Sequence, residues 1–176
     1  MDTKTEGVDL TQLLSDLKSE DSNYAAKCKR FQYIYWTLLP IYVILTIRHF
    51  IASEDMKSGI GGLCFILCFV IFAVFFRKFS KEFSSVDYSL PTTKMLKAAA
   101  YRYQPFQLRH IWLLIAILLM DAGLVLSSSL GFSFMEVQVA LLGAMLVATI
   151  LGLLYWYVKY KPLRDRVLFL YKELIK

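Results

Sequence analysis

Four long apolar runs without Lys, Arg or Glu dominate this chain: Phe31 to Ile47, Ser58 to Phe76, Ile111 to Met135 and Val137 to Val158, with Asp121 the sole charge inside them. A helix needs about 20 such residues to cross about 30 Å of hydrocarbon, and backbone polar groups in lipid must be satisfied within the segment. The pattern therefore predicts an all-α fold, an integral membrane four-helix bundle. Short amphipathic helices should accompany it on one side.

The side is set by charge. Of the 20 Lys and Arg residues, five precede the first run, two follow it (Arg48, Lys57), seven lie in the connection 77–110, none separate the third and fourth runs, and six follow the fourth. Cytoplasmic loops carry the Lys/Arg excess, so both termini and the 77–110 connection are expected in the cytoplasm. Trp36, Trp112 and Trp156 fall near the ends of runs on that same side, where an amphipathic ring favours the headgroup level. The two signals have independent chemistry and agree. The division expected is a cytoplasmic lead-in at 1–30, a membrane domain at 31–158 and a cytoplasmic helix at 159–176. The net charge of +6 follows from this topology, since basic residues beside spans favour anionic headgroups by about 1 kcal/mol each. No nucleic-acid partner is expected; the lipid bilayer is.

The start does not look like a cleavable signal. The first 26 residues hold two Lys against six Asp and Glu, whereas a signal begins basic and has a short apolar core. Residues 9–18 read as an amphipathic helix, with Asp9 and Gln12 as a capping box and Leu10, Leu13, Leu14 and Leu17 along one face. So short a helix needs burial to persist, and its acidic residues disfavour an anionic membrane surface. It is expected to dock on the basic helix 92–103 or on the C-terminal helix. Ser19 to Asn23 reads as a polar break, followed by a second helix that runs into span one and kinks at Pro40. Span two should project beyond the headgroups on a stripe of Phe75, Phe76, Phe79 and Phe83. Pro91 starts the helix at 92–103, Pro105 ends it, and Pro162 is expected to separate span four from a C-terminal helix.

Asp121 is the sharpest chemical feature. A charge at mid-membrane costs about 2.5–3.5 kcal/mol on insertion scales, so a partner is required. Depth counting nominates Tyr42 or Thr149, with Cys68 at the same level. One reading makes Asp121 a proton or cation site in an oligomeric transporter or channel subunit; the other makes it a hydrogen-bonded residue that fixes helix packing. Rows of small residues mark close helix approach: Gly123, Ser127 and Gly131 on span three, and Ala140, Ala144, Ala148 and Gly152 on span four, the latter also a surface for a homo-oligomer. Gly123 and Asp121 lie on nearly opposite faces, which suits a central place for span three.

Enzymatic arrangements do not emerge. Cys28, Cys64 and Cys68 make no disulfide framework, and Cys64 and Cys68, one turn apart, lack further ligands at their depth, so packing is the expected role. His49 and His110 lie at opposite span edges, and Ser127 to Ser129 have no His at their level. Phosphate loops, HExxH and nucleophile elbows are absent from the sequence. No catalytic residue, cofactor or metal is expected.

The segments Val86-Asp87-Tyr88-Ser89-Leu90-Pro91 with Met95-Leu96, and Tyr160-Lys161-Pro162-Leu163-Arg164-Asp165, resemble a family of small four-span inner-membrane proteins of Bacteroides-type bacteria. The resemblance covers most of the chain. It implies an inner-membrane location and carries over no activity, because that family has no established catalytic residues. The function expected is a non-enzymatic interaction or regulatory module whose cytoplasmic helices hold a protein partner.

Overall fold

A computed structural model describes residues 10–53, 56–105, 107, 111–127 and 133–175. Those residues form α1 (Leu10–Ser53), α2 (Met56–Ser84), α3 (Thr92–Arg102), α4 (Ile111–Leu126), α5 (Phe134–Tyr155), a π-helical turn (Trp156–Tyr160) and α6 (Lys161–Ile175), with no strand among them. Three helical stretches, 10–52, 56–84 and 134–175, are long and apolar enough to cross a membrane, and α4 is a shorter apolar helix. The expected Asp9 cap, Gly131, His110, Ser128 and Ser129 lie outside the described residues.

Two expected breaks are absent. Ser19 to Asn23 does not interrupt the chain; α1 is one helix of 44 residues that also continues through Pro40. At about 1.5 Å per residue it is twice as long as a membrane span requires, so its N-terminal half stands clear of the apolar band. Pro162 does not end the last span either. It sits second in α6, directly after the π-helical turn. A proline lacks the N–H of an i→i−4 bond and crowds the carbonyl four residues back, and a π turn opens the ladder at that point. Helix 134–175 continues across it.

The third run is also not one helix to its end. Its helix stops at Leu126, and α5 begins at Phe134, three residues before the expected start. Ser133 is its N-cap: the hydroxyl accepts from the Glu136 N–H at 3.3 Å and Glu136 Oε2 accepts from the Ser133 N–H at 2.8 Å, a reciprocal capping box.

Along the membrane-type segments the helices lie in the order α1, α2, α4, α5. Rings knit α1 to α2: Tyr35 stacks on Phe72 and Phe76 with centroids 5.2 and 5.7 Å apart, and Tyr42 packs on Phe65 and Phe69 at 5.4 and 5.2 Å. Between α2 and α4 the backbones meet at glycines. A Cβ on Gly61 would come 2.5 Å from Ser127 Oγ and 3.1 Å from the Gly123 carbonyl oxygen. The Gly123–Ser127 row thus serves α2 as its counterpart. Gly61→Ala should cost about 1–3 kcal/mol, because a backbone carbonyl cannot rotate aside, while Gly143→Ala, whose Cβ would meet nothing within 4 Å, should be neutral. The midpoint of unfolding in SDS measures both, and equal midpoints would contradict the close approach.

The fourth helix departs from the expected closed bundle. No residue of α5 is buried, and Ala140, Ala144, Ala148 and Gly152 are all exposed, so this row brings no helix of the same chain close. The reason is in its composition. A helix apolar all round has no face that prefers protein, and in lipid there is no hydrophobic drive between helices.

Beyond the apolar band, the N-terminal part of α1, α3 and α6 fold together into a cap. Its core is Leu13, Leu17, Met95, Leu96, Ala99, Ala100, Tyr103, Tyr160, Leu163 and Val167. Leu13, Leu14 and Leu17 of the leucine stripe thus pack with α3 and α6, while Leu10 remains exposed. A second cluster, Ala25, Cys28, Phe79 and Phe83, joins α1 to the projecting end of α2, where Ser80 Oγ donates to the Ala25 carbonyl at 3.1 Å.

Candidate functional site at the capped end

Asp121, the expected site, is partly buried and accepts a 2.6 Å hydrogen bond from Gln138 Nε2. Neither nominated partner is used. Tyr42 places its ring on Phe65 and Phe69, and Thr149 Oγ1 donates to the Met145 carbonyl at 2.8 Å. The depth count failed because α4 ends at Leu126. Asp121 is close to that end, and Thr149, eleven residues beyond Gln138, is about 16 Å further along α5. Cys68 is buried and Cys64 partly so, both as free thiols. Gly123 faces α2 and Asp121 faces α5, so α4 has the two committed faces its pattern suggests.

A buried polar hub forms at Asp21, inside the segment expected to be a break. It is 1% exposed. Its carboxylate accepts from Tyr88 Oη at 2.6 Å, Arg102 Nη2 at 2.9 Å and Tyr103 Oη at 2.5 Å. One carboxylate therefore ties α1 to the loop after α2 and to the end of α3. Trp156 Nε1 donates to the Tyr103 carbonyl at 2.8 Å, which links the π turn to the same place. Glu20 pairs with Lys159 at 3.0 Å, and Gln107 Nε2 closes the α3 C-terminus on the carbonyl of Tyr101 at 2.6 Å.

Burial, and then the hydrogen bond to the Asp21 carboxylate, raise Tyr88 and Tyr103 well above the ordinary tyrosine value of 10.0, since both disfavour the phenolate. A pKa raised by folding contributes stability that is whole below the unfolded value and is lost as pH climbs past it. Cap stability should therefore hold from pH 7 to about 9.5 and fall above about 10, read as the pH dependence of Trp156 emission on denaturation. Stability rising above pH 10 would refute this. Burial also raises the Cys28 thiol to about 11, which leaves it unreactive at neutral pH.

Beside the hub, between α5 and the rest of the molecule, is a cavity of about 490 Å³. Phe79, Phe83 and Trp156 supply its aromatic walls, Leu113 and Leu153 its aliphatic ones, and Arg102 reaches it from the hub. Nothing in the composition signals this space, because it arises from α5 standing apart.

No family model, curated protein or solved structure matches the chain.

Proposed function

We propose that the chain is a multi-pass inner-membrane protein with four crossings and both termini in the cytoplasm, acting without catalysis as an interaction or regulatory module. The observation that carries the reading is the cap. Helical segments from three separate parts of the sequence bury a common core at the end to which charge assigns the cytoplasm, while the opposite end has only short connections. The cap exposes the apolar side chains of Leu90, Tyr101, Phe169 and Leu174, and α3 also exposes Lys94 and Lys97. Exposed apolar side chains on a surface that also carries charge suit an amphipathic protein segment.

Two measurements test the proposal. An impermeant thiol probe added to whole cells should label Ser53→Cys and spare Ser85→Cys; the reverse pattern defeats the topology. Affinity capture should then compare the intact chain with Lys94→Glu/Tyr101→Ala, which leaves the buried core untouched. A partner held by the first and lost by the second supports the module, and no specific partner for either removes it. Asp121 acts in this reading as a tie to Gln138, so Asp121→Asn, which keeps an acceptor, should leave abundance unchanged and alter no proton or cation flux in vesicles. Loss of such flux would instead favour the transporter reading.

A further inference from the structure

The cavity beside α5 lies where the apolar segments give way to the cap. Its walls are mostly apolar, and its volume falls within the range of about 300–1,000 Å³ of small-ligand sites. Empty apolar space forfeits dispersion contacts on every wall. One side is the exposed face of α5, where a Cβ on Gly152 would meet nothing within 4 Å, so the space is open along the helix rather than sealed in a core. The ligand must therefore be largely hydrocarbon.

Its other end is polar and cationic. Arg102 is nearly buried, at 11% side-chain exposure. It spends Nη2 on Asp21, and its buried Nε has no hydrogen-bond acceptor among the described residues. Lys27 Nζ stands 3.1 Å from Tyr155 Oη, and Lys159 lies 6.0 Å over the same ring. Arg102 is paired with Asp21 and Lys159 with Glu20, so Lys27, on the hydroxyl of the lining Tyr155, is the cation here with no carboxylate partner among the described residues and leaves this end with an excess of positive charge. A buried donor lacking an acceptor is costly, and an anionic oxygen answers both that donor and the net charge.

We propose that this cavity binds an anionic phospholipid of the adjoining leaflet, with one acyl chain along Leu113, Gly152 and Leu153 and its phosphate at Lys27 and Arg102. This goes beyond the interaction module and rests on the reading that places this end of the helices at a headgroup plane. It also gives the gap beside α5 an occupant.

The test uses the intact chain with Trp36→Phe and Trp112→Phe, so that Trp156, on the cavity wall, is the sole emitter. It is reconstituted in phosphatidylcholine vesicles, and brominated-chain phosphatidylglycerol or brominated-chain phosphatidylcholine is titrated in. The anionic lipid should quench half the emission at a several-fold lower mole fraction than the zwitterionic one. Gly152→Leu, which enters open space and leaves the fold intact, should bring the two curves together by filling the cleft. Lys27→Gln should weaken the preference for phosphatidylglycerol while leaving quenching by phosphatidylcholine. Equal quenching by the two lipids, or a preference untouched by Gly152→Leu, overturns the lipid site alone. No quenching by either lipid overturns it together with the membrane reading.

Discussion

Asp21→Ala should destabilise the capped end by about 3–5 kcal/mol, the range for removing one partner of a buried ion pair. The cause is less the lost attraction than what remains: Arg102 would be a buried cation without a counter-ion, and the hydroxyls of Tyr88 and Tyr103 would lose their acceptor. Amide exchange measures it, with protection falling along α3 and the first turns of α1 while the α1–α2 ring stack keeps its protection. Asp21→Asn keeps an acceptor and the shape, so its loss should be smaller. A change below about 1 kcal/mol for Asp21→Ala, the value of an exposed pair, would show that the hub is solvated and does not organise the cap.

Leu13→Glu should be comparably severe. Leu13 is 2% exposed in the core shared by α1, α3 and α6, and an unpaired carboxylate placed there costs several kcal/mol after relaxation. Exchange should accelerate throughout residues 10–18, because without that burial these first turns of α1 are a helix end free to fray into water. Lys97→Glu, on the exposed side of α3, should alter the same amides little. Equal protection in wild type and Leu13→Glu would mean that the leucine stripe is not what anchors this part of α1.

Periodicity and run length were enough to read most helices, because both report on each residue's immediate surroundings. The stripe Leu10, Leu13, Leu14, Leu17 identified a helix and called for a protein surface; α3 and α6 supply one for Leu13, Leu14 and Leu17, while Leu10 is exposed. Ser19 to Asn23 misled for a physical reason: these side chains compete with the helical backbone when nothing else engages them, but Asp21 is engaged by Tyr88, Arg102 and Tyr103, 67 to 82 residues away. No local spacing encodes that. Pro162 misled similarly, since its effect depends on whether the preceding turn can widen. The pairing of Asp121 with Gln138 was half visible, as Gln138 is a polar residue within the fourth run; finding it required knowing that α4 stops at Leu126. The Ser133 to Glu136 capping box went unread, because Ser133 falls inside the third apolar run and apolar residues flank it on either side. The cavity had no local signal, because it is made by a helix that does not pack.

The π-helical turn at Trp156–Tyr160 sets the rotational phase of everything after it. An α-helix turns about 100° per residue, so one residue taken up in a wider turn rotates the following helix by about that much relative to an unbroken ladder. Leu163 and Val167 point into the cap and Phe169 points out in the phase this turn imposes. With one residue fewer, the same sequence would direct a different side of α6 at Leu96 and Ala99. The turn is thus an indexing device between two segments with unrelated demands: α5 is apolar all round and indifferent to its own rotation, whereas α6 has one face that fits. By absorbing the mismatch where the helix leaves the apolar band, it lets span and cap each adopt the orientation its surroundings require.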